Sequence, residues 1–178
     1  RYASILSKYF ELAGPPEYKD EAYSSFAYST YSVGFDGFAD TYFNAELSWA
    51  TDSFGDWMQH YLDGLAAIPE WAPGNHDHLL RSTSVVQSIT YGTNAVSYTT
   101  FDSTGHEKLK LTFSPARVTV GGSPINDWTW DDSSHVLIIN RSSGTSVEVF
   151  GPNFSVSPHT QTVAPGNSIT YTVTVTGL

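Results

Sequence analysis

The chain has 178 residues, of which 40% are apolar and 15% aromatic, enough for one good core or for two small units that share one. Its formal net charge of −10 lies mostly in residues 1–80, which hold 12 acidic against 3 basic residues. This argues against nucleic acid as a partner, because phosphates are bound by lysine and arginine. No apolar run approaches the roughly 20 residues of a membrane span, and the absence of cysteine excludes disulfides and thiolate metal sites.

The N-terminus predicts that the chain is one part of a longer polypeptide. It begins at Arg1 without a methionine or a signal-like apolar segment, as expected of a fragment processed or excised from a precursor. The acidic, aromatic and Ser/Thr-rich composition with few lysines favours a secreted or extracellular protein.

The N-terminal third is predicted to be helical at its two ends. A short helix is expected over residues 1–13, followed by an irregular or partly extended stretch over 17–35. A long amphipathic helix is predicted over 36–69, with Asp63-Gly64 as a weaker point to stop or bend. Its apolar residues recur at steps of four and three on one face: Phe43, Leu47, Ala50, Phe54, Trp57, Tyr61 and Leu65. We expect this face to need a partner larger than residues 1–35 supply.

From Ser82 onward the period changes to the alternation of β-strands. Tight turns are predicted at 92–94 and at Gly121-Gly122, and Leu109, Leu111 and Phe113 indicate a strand with one wet face. The predicted fold class is α+β and mainly β, with a helical segment packed beside an antiparallel β-sandwich and immunoglobulin-like strands at the C-terminus.

Three regions follow from these patterns. Residues 1–81 form a helical segment expected to be the end of a larger helical domain, and residues 82–151 form the antiparallel β-domain. Residues 152–178 contain the stretches SVSP, QTVAPG and SITYTVTV, which resemble the opening strands of the immunoglobulin-like repeats of secreted modular bacterial proteins. Only about three strands are present, whereas such a sandwich needs about seven.

A second resemblance covers the β-domain and the main helix. The run LKLTFSPARVTVGGSPINDWTWDDSSHVLIINRSSGTSVEVF is similar to the C-terminal β-domain that follows the catalytic part of many glycoside hydrolases. The run FNAELSWATDSFGDWMQHYLDGLAAIPEW resembles the last helical hairpin of the six-hairpin glycosidase-like proteins. None of these families' catalytic motifs occurs in the chain, so the resemblance carries over no catalytic residue and implies a non-catalytic part of a modular parent.

Aromatic residues supply the carbohydrate-binding candidates. Trp128 and Trp130 point to one face of a strand, and coplanar exposed tryptophans stack on sugar rings, while Asp131 nearby could hold hydroxyls or Ca²⁺. The alternative is that the pair fills the sandwich core. Trp71, in the turn region after the main helix, is a third candidate, and it too could either stack on a sugar or pack in a core. No cofactor is expected, with Ca²⁺ near Asp131 as the one alternative.

Two further groups could carry chemistry. Glu46, Asp52 and Asp56 lie near Trp49 on the main helix, and a carboxylate pair beside an aromatic ring is what a glycosidase needs. The alternative is the solvated face of an amphipathic helix. His76, Asp77 and His78 could bind a transition metal, whereas the alternative is a polar loop that bonds its own backbone. The motif GNHD at 74–77 also occurs in metallophosphatases, but their companion motifs are missing here.

Three functions are therefore open. The leading hypothesis is a non-catalytic portion of a secreted modular carbohydrate-active protein, which contacts polysaccharide or buttresses the catalytic domain of the same polypeptide. The second is a structural subunit of an extracellular assembly that self-associates by β-strand pairing. The third is a glycoside hydrolase that uses the main-helix carboxylates. Asn140 and Asn153 begin glycosylation sequons, which matter only in a host that uses them.

Overall fold

The chain is described here from a computed structural model, covering residues 1–32, 54–157, 164, 167–168, 170 and 172–176. It divides into two compact units, Arg1–Pro73 and Gly74–Leu178. The described residues form three α-helices in the first unit and antiparallel sheets in the second, which confirms the predicted mainly β, α+β class. None of the described helices is long and apolar enough to cross a membrane.

The first unit, called the helical unit, is built from α1 (Tyr2–Ala13), α2 (Glu17–Ser29) and α3 (Phe54–Ala67). Short 3-10 turns follow at Thr30–Ser32 and Pro69–Trp71. Helix α1 packs against both α2 and α3, and the small residues Ala3, Ser7 and Ala22 are buried on α1 and α2. Among its described residues, the buried apolar ones are Ala3, Leu6, Ala22, Ala66, Ala67, Ile68 and Ala72. The helix predicted over 1–13 is confirmed.

The prediction of an irregular stretch after Pro16 was wrong, because α2 occupies Glu17–Ser29. Tyr18, Ala22 and Phe26 recur every fourth residue, and Ala22 is fully buried. The many tyrosines and serines on the other faces of this helix obscured the period. Of the long helix predicted over 36–69, the described part runs from Phe54 to Ala67; residues 33–53 lie outside the described ranges.

The predicted bend or stop at Asp63-Gly64 does not occur, because α3 continues through it to Ala67. Gly64 is buried, and a Cβ built there would lie 2.7 Å from the ring of Phe26. The glycine therefore allows α2 to place an aromatic ring directly on the surface of α3. Tyr61 and Leu65, on the predicted apolar face, are both half-buried within this unit. For this part of the face, the partner comes from residues 1–32.

The second unit, called the β unit, contains two large antiparallel sheets. The four-stranded sheet has the order β1-β4-β8-β7 and the five-stranded sheet the order β2-β3-β9-β5-β6. The strands are β1 (His78–Ser82), β2 (Val86–Gly92), β3 (Ala95–Thr100), β4 (Gly105–Lys110), β5 (Arg117–Val120), β6 (Ser123–Ile125), β7 (Trp128–Asp131), β8 (Val136–Arg141) and β9 (Ser146–Phe150). A separate two-stranded sheet pairs β10 (Asn153–Ser157) with β11 (Thr172–Thr176).

The core of the β unit is formed by the inward-facing residues of both large sheets. Alternate residues along β3 and β9 are buried, as expected for strands with one wet face. Leu109 lies directly across from Leu137, and Val96 lies across from Val149. The buried cluster comprises Val96, Tyr98, Leu109, Leu111, Phe113, Val118, Val120, Leu137, Ile139, Val147 and Val149. The sandwich predicted from sequence is therefore confirmed.

The tight turn predicted at Gly121-Gly122 is confirmed by the backbone. Val120 pairs with Ser123, so the two glycines form a two-residue hairpin loop between β5 and β6. Their φ angles are +57° and +81°, which residues with a Cβ rarely adopt. The sequence of this turn thus fixes the register of the hairpin.

A buried ion pair lies in the described part of the β unit. The guanidinium of Arg141 donates to both carboxylate oxygens of Glu107, from Nε at 2.9 Å and from Nη2 at 2.8 Å, and both side chains are fully buried. Arg141 Nη1 also donates to the carbonyl oxygens of Asp102 at 3.1 Å and Gly144 at 2.5 Å. Burial and the neighbouring Glu107 raise the pKa of Tyr98, whose hydroxyl lies 3.4 Å from that carboxylate. The Glu107–Arg141 pair therefore links β4 and β8 to the loops that contain Asp102 and Gly144.

Candidate functional site

An open cleft lined mainly by aromatic rings lies within the helical unit. It has a volume of about 170 Å³ and is lined by Tyr23, Phe26, Ala27, Tyr61, Leu65 and Trp71. We call it the aromatic cleft. It draws residues from α2, from α3 and from the 3-10 turn that follows α3. Trp71 is the one carbohydrate-binding candidate from the sequence that lines it.

The position of Trp71 is set by the backbone on both sides of it. Pro69 begins the 3-10 turn, and the N–H of Trp71 donates to the carbonyl of Ile68 at 3.1 Å. Ile68 and Ala72 are almost fully buried and anchor the turn to the helical unit. The indole itself stays half-buried, so one part of it packs while another part faces the cleft.

The floor of the cleft is formed by Phe26 and Tyr61. Their ring centroids are 5.0 Å apart with a tilt of 32°, a separation favourable for aromatic pairs. The Tyr61 hydroxyl donates to the carbonyl of Phe26 at 3.3 Å and also contacts the hydroxyl of Ser29. Since Phe26 lies against Gly64, both rings are held by the packing of α2 on α3.

Tyr23 forms the exposed wall of the cleft. Its ring lies 5.8 Å from that of Trp71 with a tilt of 58°, and the residue is 59% exposed. Trp71 in turn meets Phe26 edge-on at 6.2 Å. The cleft therefore combines rings fixed by packing with one ring open to solvent. Tyr23 and Trp71 also carry a phenol hydroxyl and an indole N–H, the groups that bond to polar parts of a ligand.

The charge of the helical unit disfavours an anionic ligand. Residues 1–73 contain eleven acidic and three basic residues. Of the basic ones, Lys19 forms an ion pair with Glu70, next to Trp71, and lies 5.7 Å from the ring of Phe10. Lys8 pairs with Glu11 at 2.7 Å. A neutral ligand therefore suits the aromatic cleft better than a charged one.

The tryptophans of β7 lie at the edge of the core. Trp128 is directly across from Ile139 and Trp130 from Leu137, both of which are fully buried. Both tryptophans are half-buried and pack against the core cluster. Trp128 Nε1 donates to the carbonyl of Ile125 at 3.1 Å. The pair shares one face, as expected from the sequence, and that face is the inner one.

Asp131 holds the turn that follows β7. Its carboxylate accepts hydrogen bonds from the hydroxyl of Ser134 at 2.6 Å and from the hydroxyl and N–H of Ser133 at 2.7 and 3.0 Å. These bonds, first that of Ser134, lower the pKa of Asp131 to about 2. Trp130 Nε1 lies 3.3 Å from Asp132 in the same turn. The carboxylate oxygens of Asp131 are thus already engaged by its own loop.

The metal-ligand candidates do not converge. The rings of His76 and His78 lie 6.5 Å apart, while Asp77 Oδ1 accepts from the N–H of Thr112 at 2.6 Å and from its hydroxyl at 2.9 Å. Asp77 therefore bonds a distant loop, and not its own backbone. His78 Nε2 is buried with no hydrogen-bond partner among the described residues. Within the described ranges, no group of three metal-binding side chains occurs.

The carboxylates predicted on the main helix are only partly placed. Glu46 and Asp52 lie outside the described residues, and Asp56 lies in the first turn of α3. One turn further along, His60 Nδ1 lies 3.2 Å from the hydroxyl of Ser4 and joins α3 to α1. The proposed use of these acids stays a prediction.

The chain matches no protein-family model, and neither the curated protein sequences nor the solved structures contain a detectable relative. Its function is therefore argued from the geometry of the site. Sequence reasoning identified Trp71 and placed Tyr61 and Leu65 on one helix face, but it missed Tyr23 and Phe26. The spacing of Tyr18, Ala22 and Phe26 is the signal that indicates α2.

Proposed function

We propose that this chain is a non-catalytic, carbohydrate-contacting part of a secreted modular protein, and that sugar binds in the aromatic cleft. The observation that carries the proposal is the meeting of four aromatic rings at one open cleft of the helical unit. Aromatic faces pack against the apolar C–H face of a sugar ring, and the polar groups of Tyr23 and Trp71 suit its hydroxyls. The resemblance of the β-domain to those of modular glycoside hydrolases points in the same direction.

The size and charge of the cleft narrow the ligand class. Its volume of about 170 Å³ is smaller than the roughly 300–1,000 Å³ of pockets that enclose a drug-sized molecule. A cleft of this size suits one ring of a polysaccharide that otherwise lies outside it. Because the helical unit is strongly acidic, the polysaccharide we propose is neutral.

The test is retention of the full chain on neutral insoluble polysaccharides, followed by calorimetry with soluble fragments of any polymer that retains it. We expect Tyr23→Ala and Trp71→Ala to weaken binding by about 1–2 kcal/mol, or roughly tenfold, because each removes a stacking face. Tyr23→Ala is the cleaner variant, since a residue 59% exposed contributes little to folding.

Tyr31→Ala is the matched control. Tyr31 is 80% exposed and does not line the cleft, so its loss removes a surface tyrosine without changing the site. Equal binding by Tyr23→Ala and the parent chain would contradict the proposal. Binding lost in Trp128→Ala but kept in both cleft variants would move the site to the β unit.

The proposal assigns no reaction to this chain. Its role in a larger protein would be to hold polysaccharide near a catalytic domain, or to buttress that domain. Turnover of a neutral polysaccharide by the purified chain, lost when Glu46, Asp52 and Asp56 are replaced together, would favour a glycoside hydrolase instead.

A further inference from the structure

The strands β10 and β11 form a small sheet of their own, separate from the two large sheets of the β unit. Within the described parts of the chain it pairs with no third strand. Its register places Val156 across from Val173 and Ser155 across from Thr174. Two strands alone are marginally stable in water, and a sheet normally needs three or more. This sheet therefore favours an additional strand.

The strand β11 lacks the features that usually prevent an edge strand from pairing with another chain. Residues 151–178 contain no Asp, Glu, Lys or Arg. Proteins usually protect free edges with charged side chains, prolines or bulges, and β11 has none of these between Thr172 and Thr176. Val173, in the middle of this stretch, is 61% exposed.

The sequence of β11 is self-complementary. It reads TVTVT, which is the same in both directions. In an antiparallel pair about a two-fold axis through Thr174, valine meets valine and threonine meets threonine, so both faces of the sheet continue unchanged. The sequence of β10, NFSVS, has no such symmetry, because Phe154 would meet Val156. The symmetric choice is therefore the β11 edge.

We infer that two copies of this chain associate by antiparallel pairing of their β11 strands, forming a continuous four-stranded sheet. The inference is independent of the proposed sugar site, which lies in the helical unit. Five residues per strand make a small interface, so the dimer is weak and depends on concentration. Because each copy carries a net charge of −10, added salt strengthens the association by screening the repulsion.

The test uses the two-fold axis directly. Thr174 is exposed in the single chain, so a charged residue is tolerated there without loss of folding, but each copy would place it opposite the same charge. We expect Thr174→Lys alone and Thr174→Glu alone to raise the dissociation constant about tenfold or more, measured by sedimentation velocity. An equimolar mixture of the two variants should restore association, because lysine then faces glutamate.

Ser155→Lys is the matched control, since it adds the same charge at the register position directly across from Thr174 but on β10, one strand away from the axis. It should associate like the parent chain. The inference is overturned by a parent chain that stays monomeric at high concentration and salt, by a mixture that fails to associate, or by equal loss in Ser155→Lys. Thr174→Lys should still bind sugar, because the aromatic cleft lies in the helical unit. Its sugar affinity therefore tests the proposed sugar site independently of the association.

Discussion

The aromatic cleft of the helical unit and the tryptophan pair of β7 show how the same side chains come to differ in role. In β7, each tryptophan lies across from a fully buried aliphatic residue, so its ring completes the edge of a core. In the cleft, Trp71 lies on a short turn and meets other rings that are themselves partly open. The lesson is that the neighbours of an aromatic ring, and not the ring itself, decide whether it has a free face.

The largest expected effect concerns the buried ion pair of the β unit. Arg141→Met should lower the free energy of unfolding by about 3–5 kcal/mol, because it leaves the carboxylate of Glu107 buried without its partner. Urea denaturation measures this. Tyr23→Ala in the helical unit should change the same quantity by less than about 0.5 kcal/mol.

The double variant Glu107→Gln with Arg141→Met is the control for this prediction. Since neither residue then carries an unpaired buried charge, it should recover a large part of the lost stability. If Arg141→Met alone is as stable as the parent chain, the ion pair is not buried as described.

A second effect concerns Trp128. Trp128→Ala should lower the free energy of unfolding by about 2–4 kcal/mol, since a large half-buried ring leaves a cavity at the edge of the core. Thr129→Ala, one position along β7 and exposed, should cost less than about 0.5 kcal/mol. Both variants should bind polysaccharide like the parent chain while folded. A stable Trp128→Ala variant that no longer binds sugar would show that the β7 tryptophans bind sugar and do not only complete the core.

A third effect concerns the floor of the aromatic cleft. In Gly64→Ala the new methyl group lies 2.7 Å from the ring of Phe26 and displaces it. Overpacking costs about 1–3 kcal/mol, but alanine gains about 1 kcal/mol of helix propensity over glycine, so the net loss of stability is small. We expect the effect to appear mainly in sugar affinity, as a loss of about tenfold, or about 1.4 kcal/mol.

Gly74→Ala is the control for the glycine substitution. A Cβ at Gly74 meets no atom within 4 Å, so this variant should change neither stability nor affinity. Unchanged sugar affinity in Gly64→Ala would show that the position of Phe26 does not matter for binding.

The smallest effect is the titration of Asp131. Its hydrogen bonds favour the carboxylate in the folded chain, so the turn gains stability that is present above the ordinary pKa near 3.8 and is lost as the pH falls toward about 2. Carbon-detected NMR of the carboxyl group should give a midpoint near pH 2 with or without polysaccharide. A midpoint that shifts when sugar is added would assign Asp131 to the binding site.

Much of the β unit was predictable because strands with one wet face alternate visibly in sequence. The hairpin at Gly121-Gly122 was predictable for a second reason, since a two-residue hairpin loop needs positive φ angles, which glycine adopts readily. Helix α2 was not, because tyrosine and serine on its exposed faces hide the spacing of Ala22 and Phe26. The cleft depends on that helix, so Tyr23 and Phe26 were not named in advance.

The position of β9 has a consequence for how the β unit is made. Ser146–Phe150 is the last strand of the two large sheets in sequence, yet it lies in the middle of the five-stranded sheet, between β3 and β5. During synthesis, the earlier strands of this sheet must wait for β9 before Val96 and Val118 are covered on both sides. A chain truncated before Ser146 would present two unjoined hairpins with open edges, and we expect it to aggregate.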